Sequence, residues 1–153
     1  MTTKLYWLPT TQEFGPGRVA LSPCPSAGVD AIAAQGVSVV VTLTTKEELV
    51  GVGAGDLGAQ CRAVGVTHIH QPIKDYGVPL LEEAKSLVLA LRQLQRDGEN
   101  ILIHCMGGLG RSGLVCALLL VDAGITPENA ITIVRNTRSS KAIETKDQEQ
   151  FVK

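Results

Sequence analysis

His104-Cys105-Met106-Gly107-Gly108-Leu109-Gly110-Arg111-Ser112-Gly113 gathers the residue types best suited to chemistry in this chain. A strand-like apolar run, Ile101-Leu-Ile-His104, delivers Cys105, and an apolar helix follows Arg111. Gly107, Gly108 and Gly110 let the backbone between them curl without side-chain clashes. A curled loop that runs into a helix N-terminus aims several N–H groups at one point and makes an anion nest. Arg111 adds a planar fork that grips two oxygens of a phosphate. Met106, Gly107, Gly108, Leu109, Gly110 and Arg111 are therefore the expected phosphate cradle, with Cys105 at its floor. A free cysteine has a pKa of about 8.5, and helix N-termini and cations lower it to about 3.5–7.5. Cys105 is expected as a thiolate at neutral pH. It would attack phosphorus in line and leave a cysteinyl-phosphate for water to hydrolyse.

A leaving alkoxide or phenoxide needs a proton. The nearest donor by topology is Asp75, in Ile73-Lys-Asp-Tyr-Gly-Val-Pro79, with Asp56 a distant rival. The Ser112 hydroxyl is placed to donate to the Cys105 sulfur as the thiolate leaves in the second step. His104 is expected to point away from the cup and to hydrogen-bond the loop. His68 and His70 alternate like two metal ligands, but no third ligand accompanies them, so they read as strand-end residues bordering the cleft. Gly108-x-Gly110-x-x-Gly113 matches a dinucleotide fingerprint after a strand and before a helix. It lacks the following parallel strand with its acidic residue, and it leaves Cys105 and Arg111 without a role. Gly53-x-Gly55-x-x-Gly58 matches as well, with no strand just before it.

These groups need a scaffold. Val37–Leu43, Thr67–Gln71 and Ile101–His104 read as strands, the first and last as near-continuous apolar runs. Short strands near Tyr6–Leu8 and Arg18–Leu21 precede them in a Pro- and Gly-rich segment over 1–28. Helices are expected over 29–35, 46–49, 56–63, 80–97, 112–123 and 127–136, with a last one opened by the capping box Thr145-Lys-Asp-Gln148. Leu80, Leu81, Ala84, Leu87, Val88, Leu91 and Leu94 share one face of the longest. Alternating strands and helices imply a three-layer α/β/α domain around a mostly parallel sheet. Ligands of such sheets sit at the carboxyl ends of the strands, which here lead into the loops after Gln71 and His104.

Composition agrees. The 153 residues suit one domain, and 44% hydrophobic with 19% charged residues is globular composition. A net charge of −1 lacks the basic excess usual in nucleic-acid binders. The longest apolar run, Leu114 to Val121, is far short of the roughly 20 residues of a membrane span. No export signal is visible at Met1-Thr2-Thr3-Lys4, so the expected compartment is the cytoplasm. Cys24, Cys61, Cys105 and Cys116 form no CxxC pair and read as free thiols. Whether Cys24, Cys61 or Cys116 protects Cys105 as a disulfide stays open at this level.

His-Cys-x-x-Gly-x-x-Arg-Ser resembles the signature of the Cys-dependent protein tyrosine and dual-specificity phosphatases. The longer His104–Ser112 stretch is most similar to their kinase-associated phosphatase branch. The resemblance runs over about residues 37 to 152. Pro72-Ile-Lys-Asp75 resembles the segment holding the family's general acid, and Ala142–Gln148 one whose Gln helps place water. It implies the protein-tyrosine-phosphatase-like fold, Cys105 as nucleophile, Arg111 as phosphate ligand, Asp75 as acid, and no metal or organic cofactor. For Gln148 the capping box is an equally good account.

The expected function is a protein phosphatase acting on phosphotyrosine and, with the shallow cleft that a short chain favours, on phosphoserine and phosphothreonine. A phosphate-recognition module with little turnover would not need Asp75. A phosphatase for phosphoinositide or RNA 5′-phosphate would favour added Lys or Arg near the cup, and Met106–Gly110 holds neither. A rhodanese-like sulfur transferase would make less use of Arg111 and Ser112. The expected partner is a phosphorylated protein or peptide, with no nucleic acid and no membrane. The oligomeric state is not legible.

Overall fold

The computed structural model describes residues 4–9, 14–25 and 28–153. Its strands are β1 (Tyr6–Trp7), β2 (Val19–Ser22), β3 (Val39–Thr42), β4 (Thr67–His70) and β5 (Ile101–His104). They form one sheet in the order β1-β2-β5-β3-β4, with only β1 antiparallel to its neighbour. The helices are α1 (Val29–Ala34), α2 (Lys46–Gly51), α3 (Leu57–Ala63), α4 (Leu81–Arg96), α5 (Gly110–Asp122), α6 (Pro127–Thr137) and α7 (Lys146–Val152). The expected three-layer α/β/α architecture is present.

The layers follow from the two-residue period of a strand. Val19, Leu21, Val39, Val41, Ile101 and Ile103 share one apolar cluster with Leu91 of α4, Leu114 of α5, Val134 of α6 and Val152 of α7. The alternate residues Ala20, Val40 and Leu102 face a second cluster with Ile32 of α1, Leu49 of α2, and Leu57 and Cys61 of α3. Leu102, Ile101 and Ile103 are fully buried, and each such side chain contributes about 1.5–3 kcal/mol by leaving water. Double-sided burial explains why the strands read as continuous apolar runs. β4 is an edge strand, so its burial is partial. Register then aligns four carboxyl ends: Ser22, His104 and Thr42 lie side by side, and Thr42 pairs His70. The loops after β4 and β5 start from this one rim.

Three details differ from expectation. The ladders are shorter than the apolar runs, because Val37 and Leu43 are buried beyond the paired residues. Helix α5 begins at Gly110, not Ser112. Gly110 and Arg111 are buried in its first turn, and apolar periodicity cannot register either of them. Leu80 and Leu81 are 71% and 58% exposed. Leu81 lines an open groove with Leu118 and Phe151, while Ala84, Leu87 and Leu91 do the burying, joined by Arg92 and Gln95. The Arg92 guanidinium donates to Phe14 O and pairs with Asp122. Among the described residues no helix is long and apolar enough to cross a membrane.

Candidate active site

The loop from Cys105 to Leu109 is held from outside, one carbonyl at a time. His104 Nδ1 lies 3.3 Å from Cys105 O. Met106 O accepts from the Cys24 N–H at 3.0 Å, and Leu109 O from the Ile143 N–H at 2.9 Å. Arg138 spans the middle, its Nη2 donating to Gly107 O at 3.0 Å and its Nε to Gly108 O at 3.1 Å. No described peptide bond is cis, so in each unit the N–H points opposite to the carbonyl. Five carbonyls tethered outward turn the N–H groups of Met106, Gly107, Gly108, Leu109 and Gly110 inward. The loop leads into the N-terminus of a 13-residue helix, an arrangement of donors that suits an anion.

The tethers demand particular residues. Gly108 has φ +72°, and a Cβ there would strike the backbone of Ser22 and Pro23, so only glycine lets the loop lie against the end of β2. Ile143 has φ +59°, which strains a β-branched residue. Arg135 holds it there, Nε donating to Ala142 O at 2.9 Å and Nη2 to Ile143 O at 3.1 Å. The strain aims the Ile143 N–H at Leu109.

Cys105 is 3% exposed and its Sγ lies 3.4 Å from Ser112 Oγ. Arg111 is 1% exposed. Its Nη1 and Nη2 donate to Glu48 Oε1 and Oε2 at 2.7 and 2.9 Å, a bidentate pair. Nη1 also donates to Ile73 O at 2.9 Å, and Nη2 lies 3.3 Å from Asp75 Oδ1. Arg111 Nε is buried and has no hydrogen-bond partner among the described residues. Burial pulls the guanidinium pKa down, but the Glu48 hydrogen bonds, Cys105 and Asp75 more than offset this and hold it above its ordinary value. Arg111 in turn holds the Glu48 carboxyl down at about 2, against burial and with help from the Thr45 N–H.

Asp75 follows β4 on a loop pinned at its base, where the Ile73 N–H donates to Leu43 O at 2.8 Å. Its carboxylate also accepts from the Tyr76 N–H at 3.0 Å. Asp56, the rival, instead accepts from Gln60 on its own helix. Cys105, Arg111, Ser112 and Asp75 therefore meet. Gln148 is the N3 residue of the expected capping box, and its amide also reaches Gly77 of the Asp75 loop.

Behind the strand that delivers Cys105 lies a polar chain. A carbonyl only accepts, so His104 Nδ1 carries the hydrogen toward Cys105 O, and His104 Nε2 accepts from Thr42 Oγ1 at 2.8 Å. Thr42 Oγ1 then accepts from His68 Nε2 at 2.7 Å. His70 Nε2 donates to Thr44 O at 2.7 Å. Among the described residues no group of three His, Cys, Asp or Glu is placed to hold a metal. Burial pushes His104 down to about 4 and also lowers His68, with His70 and Arg62 adding to the latter. A histidine near 6.5 in the unfolded chain and about 4 in the folded one contributes stability that is present above pH 6.5 and lost as pH falls toward 4. Unfolding free energies from denaturant titrations should therefore fall across that window by roughly 3 kcal/mol from His104 alone. In His104→Asn the slope should flatten; an equally steep slope would refute the neutral relay.

Glu48, Thr42, Arg135, Arg138 and Ile143 were not singled out in the sequence. Glu48 had one signal, the capping pair Thr45-x-x-Glu48, which the structure contains, but a cap gives no hint of a partner 63 residues away. All four cysteines are free thiols. Burial raises the pKa of Cys24, Cys61 and Cys116.

Comparison with known proteins gives the same answer at family level. Cyclin-dependent kinase inhibitor 3 of Rattus norvegicus is 34% identical over 119 residues, 76% of this chain and 56% of that protein. Its Homo sapiens counterpart is 39% identical over 99 residues, 63% of this chain and 45% of that protein. The chain thus spans about half the length of the curated relatives it matches. Kinase associated phosphatase with its catalytic-site cysteine replaced by serine superposes with a TM-score of 0.93 at 26% identity, covering 99% of this chain and 93% of that one. Tk-PTP in its active form gives 0.75 at 34% identity, covering 88% of each chain. The family described as PTP-SAK, Swiss Army Knife protein, DSP-PTPase phosphatase domain matches residues 10–152. This chain belongs to that family of dual-specificity and protein tyrosine phosphatase domains.

Proposed function

We propose that this chain hydrolyses phosphate monoesters on protein side chains, phosphotyrosine and also phosphoserine and phosphothreonine, through a cysteinyl-phosphate. The observation that carries the reading is the buried Arg111 Nε–H, without a partner among the described residues, beside the loop of backbone N–H groups after the Cys105 sulfur. A buried donor left unpaired is costly, and a phosphate oxygen satisfies it. In the first step the Cys105 sulfur forms a bond to phosphorus as the bond from phosphorus to the leaving oxygen breaks. Asp75 gives that oxygen its proton. In the second step water attacks phosphorus, its proton passes to the Asp75 carboxylate, and the S–P bond breaks. The sulfur leaves as thiolate beside the Ser112 hydroxyl. The likeness to kinase associated phosphatase makes a phosphorylated protein the substrate class to test first. We place the chain in the cytoplasm, where thiols stay reduced. Acid quenching during turnover of an aryl phosphate should trap one phosphoryl group on the peptide carrying Cys105. Phosphopeptide binding with no trapped phosphoryl group and no turnover would reduce the protein to a recognition module.

A further inference from the structure

Gln148 is fully buried. Its Oε1 accepts from the Glu144 and Thr145 N–H groups at 2.9 and 3.2 Å. Both partners can only donate, so the orientation of the amide is fixed and its NH2 faces the other way. There Nε2 donates to Gly77 O at 3.1 Å, across 71 residues of sequence. The same amide lies against the phosphate loop: a Cβ on Gly110 would sit 3.0 Å from Oε1 and 3.2 Å from Nε2. Gly77 is two residues beyond Asp75, in a turn closed by the Gly77 N–H on Lys74 O at 2.8 Å. Between them Tyr76 holds φ +61° with its side chain exposed. A non-glycine residue keeps that conformation only where its surroundings impose it. The segment carrying Asp75 is thus held before the acid by Leu43 and Arg111 on Ile73, at the acid by Arg111, and beyond it by Gln148 on Gly77 O.

We infer that Gln148 is a positioning residue for Asp75. It holds the acid-bearing loop against the phosphate loop and acts in the leaving-group step, not by placing water for the second. This rests on the reading of Asp75 as proton donor. Gln148→Glu suits the test, because a carboxylate still accepts the two cap N–H groups but cannot donate to Gly77. Gln148→Met removes the tether without adding charge, and thermal midpoints of both variants report folding.

The readout is kcat/KM on a series of aryl phosphates of falling leaving-group pKa. Proton donation matters for poor leaving groups and hardly at all for good ones. Both Gln148 variants should lose about tenfold on phenyl phosphate, an expected cost of a misplaced catalytic group, and less than about twofold on a phosphate of an acidic phenol. Asp75→Asn should show the same trend more steeply, and Gln148→Met should add no further loss in the Asp75→Asn background. A uniform loss of kcat on every substrate with a burst of phenol release would overturn the inference in favour of water placement. Gln148 variants with no leaving-group trend, beside an Asp75→Asn that has one, would sink the tether alone. An Asp75→Asn with no such trend would instead remove Asp75 from its role.

Discussion

Cys105→Ser should lower kcat/KM for an aryl phosphate by about 10⁴-fold or more, while vanadate or phosphate still binds within a few-fold of the parent. The two halves of this expectation come from separate parts of the site. In the proposed mechanism, binding depends on the N–H groups of Met106 to Gly110 and on Arg111. Their tethers run to His104, Cys24, Arg138, Ile143, Glu48 and Ile73, and none involves the Cys105 side chain. The Cys105 backbone carbonyl, which His104 holds, is the same in serine. In the proposed mechanism, turnover depends on the sulfur. A serine hydroxyl must lose a proton to attack, and the described residues place no base against it: the neighbour within hydrogen-bond reach is another hydroxyl, Ser112 Oγ at 3.4 Å. Parent-level turnover in Cys105→Ser would end the covalent mechanism. Loss of oxyanion binding in a folded variant would show that the cup is not preorganised by its outer tethers.

What could be read without the structure was what the chain keeps local. Cys105, three glycines, Arg111 and Ser112 are contiguous, and a strand before them and a helix after them are visible as apolar runs. The strand-end rule for parallel sheets then reached Asp75, 30 residues upstream of Cys105. The parts that escaped are contacts between distant segments that leave no periodic trace. Glu48 and Thr45 look like an ordinary helix start, because a capping box uses the same carboxylate that also receives Arg111. Arg138 lies just past the helix expected over 127–136, yet its guanidinium supports two carbonyls of the loop after Cys105 and stacks 4.2 Å over the Tyr6 ring. The φ of Ile143 is invisible in its side chain, since β-branched residues ordinarily avoid that region. Gln148 had two accounts in sequence, cap and active-site residue. The cap is present, and the same side chain uses its other end on Gly77.

Arg111→Lys is expected to cost about 10³-fold in kcat/KM, in the range seen when one preorganised charge-stabilising donor is removed from a site. The charge survives, so a conservative reading would allow near-normal activity. The geometry argues otherwise. The guanidinium makes four contacts with defined directions: two on Glu48, one on Ile73 O and one on Asp75, and its Nε–H remains for the ligand. An ammonium group has no fork and cannot meet a carboxylate on one edge and a phosphate on the other. The loss should fall on kcat as well as KM, because charge on the equatorial phosphate oxygens matters most in the transition state. Glu48→Gln provides the companion measurement. It keeps the shape of the anchor and removes its charge, so the fork is held less firmly, and the expected loss is smaller, about tenfold. Glu48 is held at about 2, so in the parent the anchor stays ionised from neutral pH down to that value. A group lowered from about 4.5 contributes stability present above 4.5 and lost as pH falls toward 2. Denaturant unfolding of Glu48→Gln should lack the acid-side loss of stability that Glu48 gives the parent in that window. Parent-like kcat in Arg111→Lys would mean that a point charge suffices, and the role assigned to the planar fork and its Glu48 anchor would have to be abandoned.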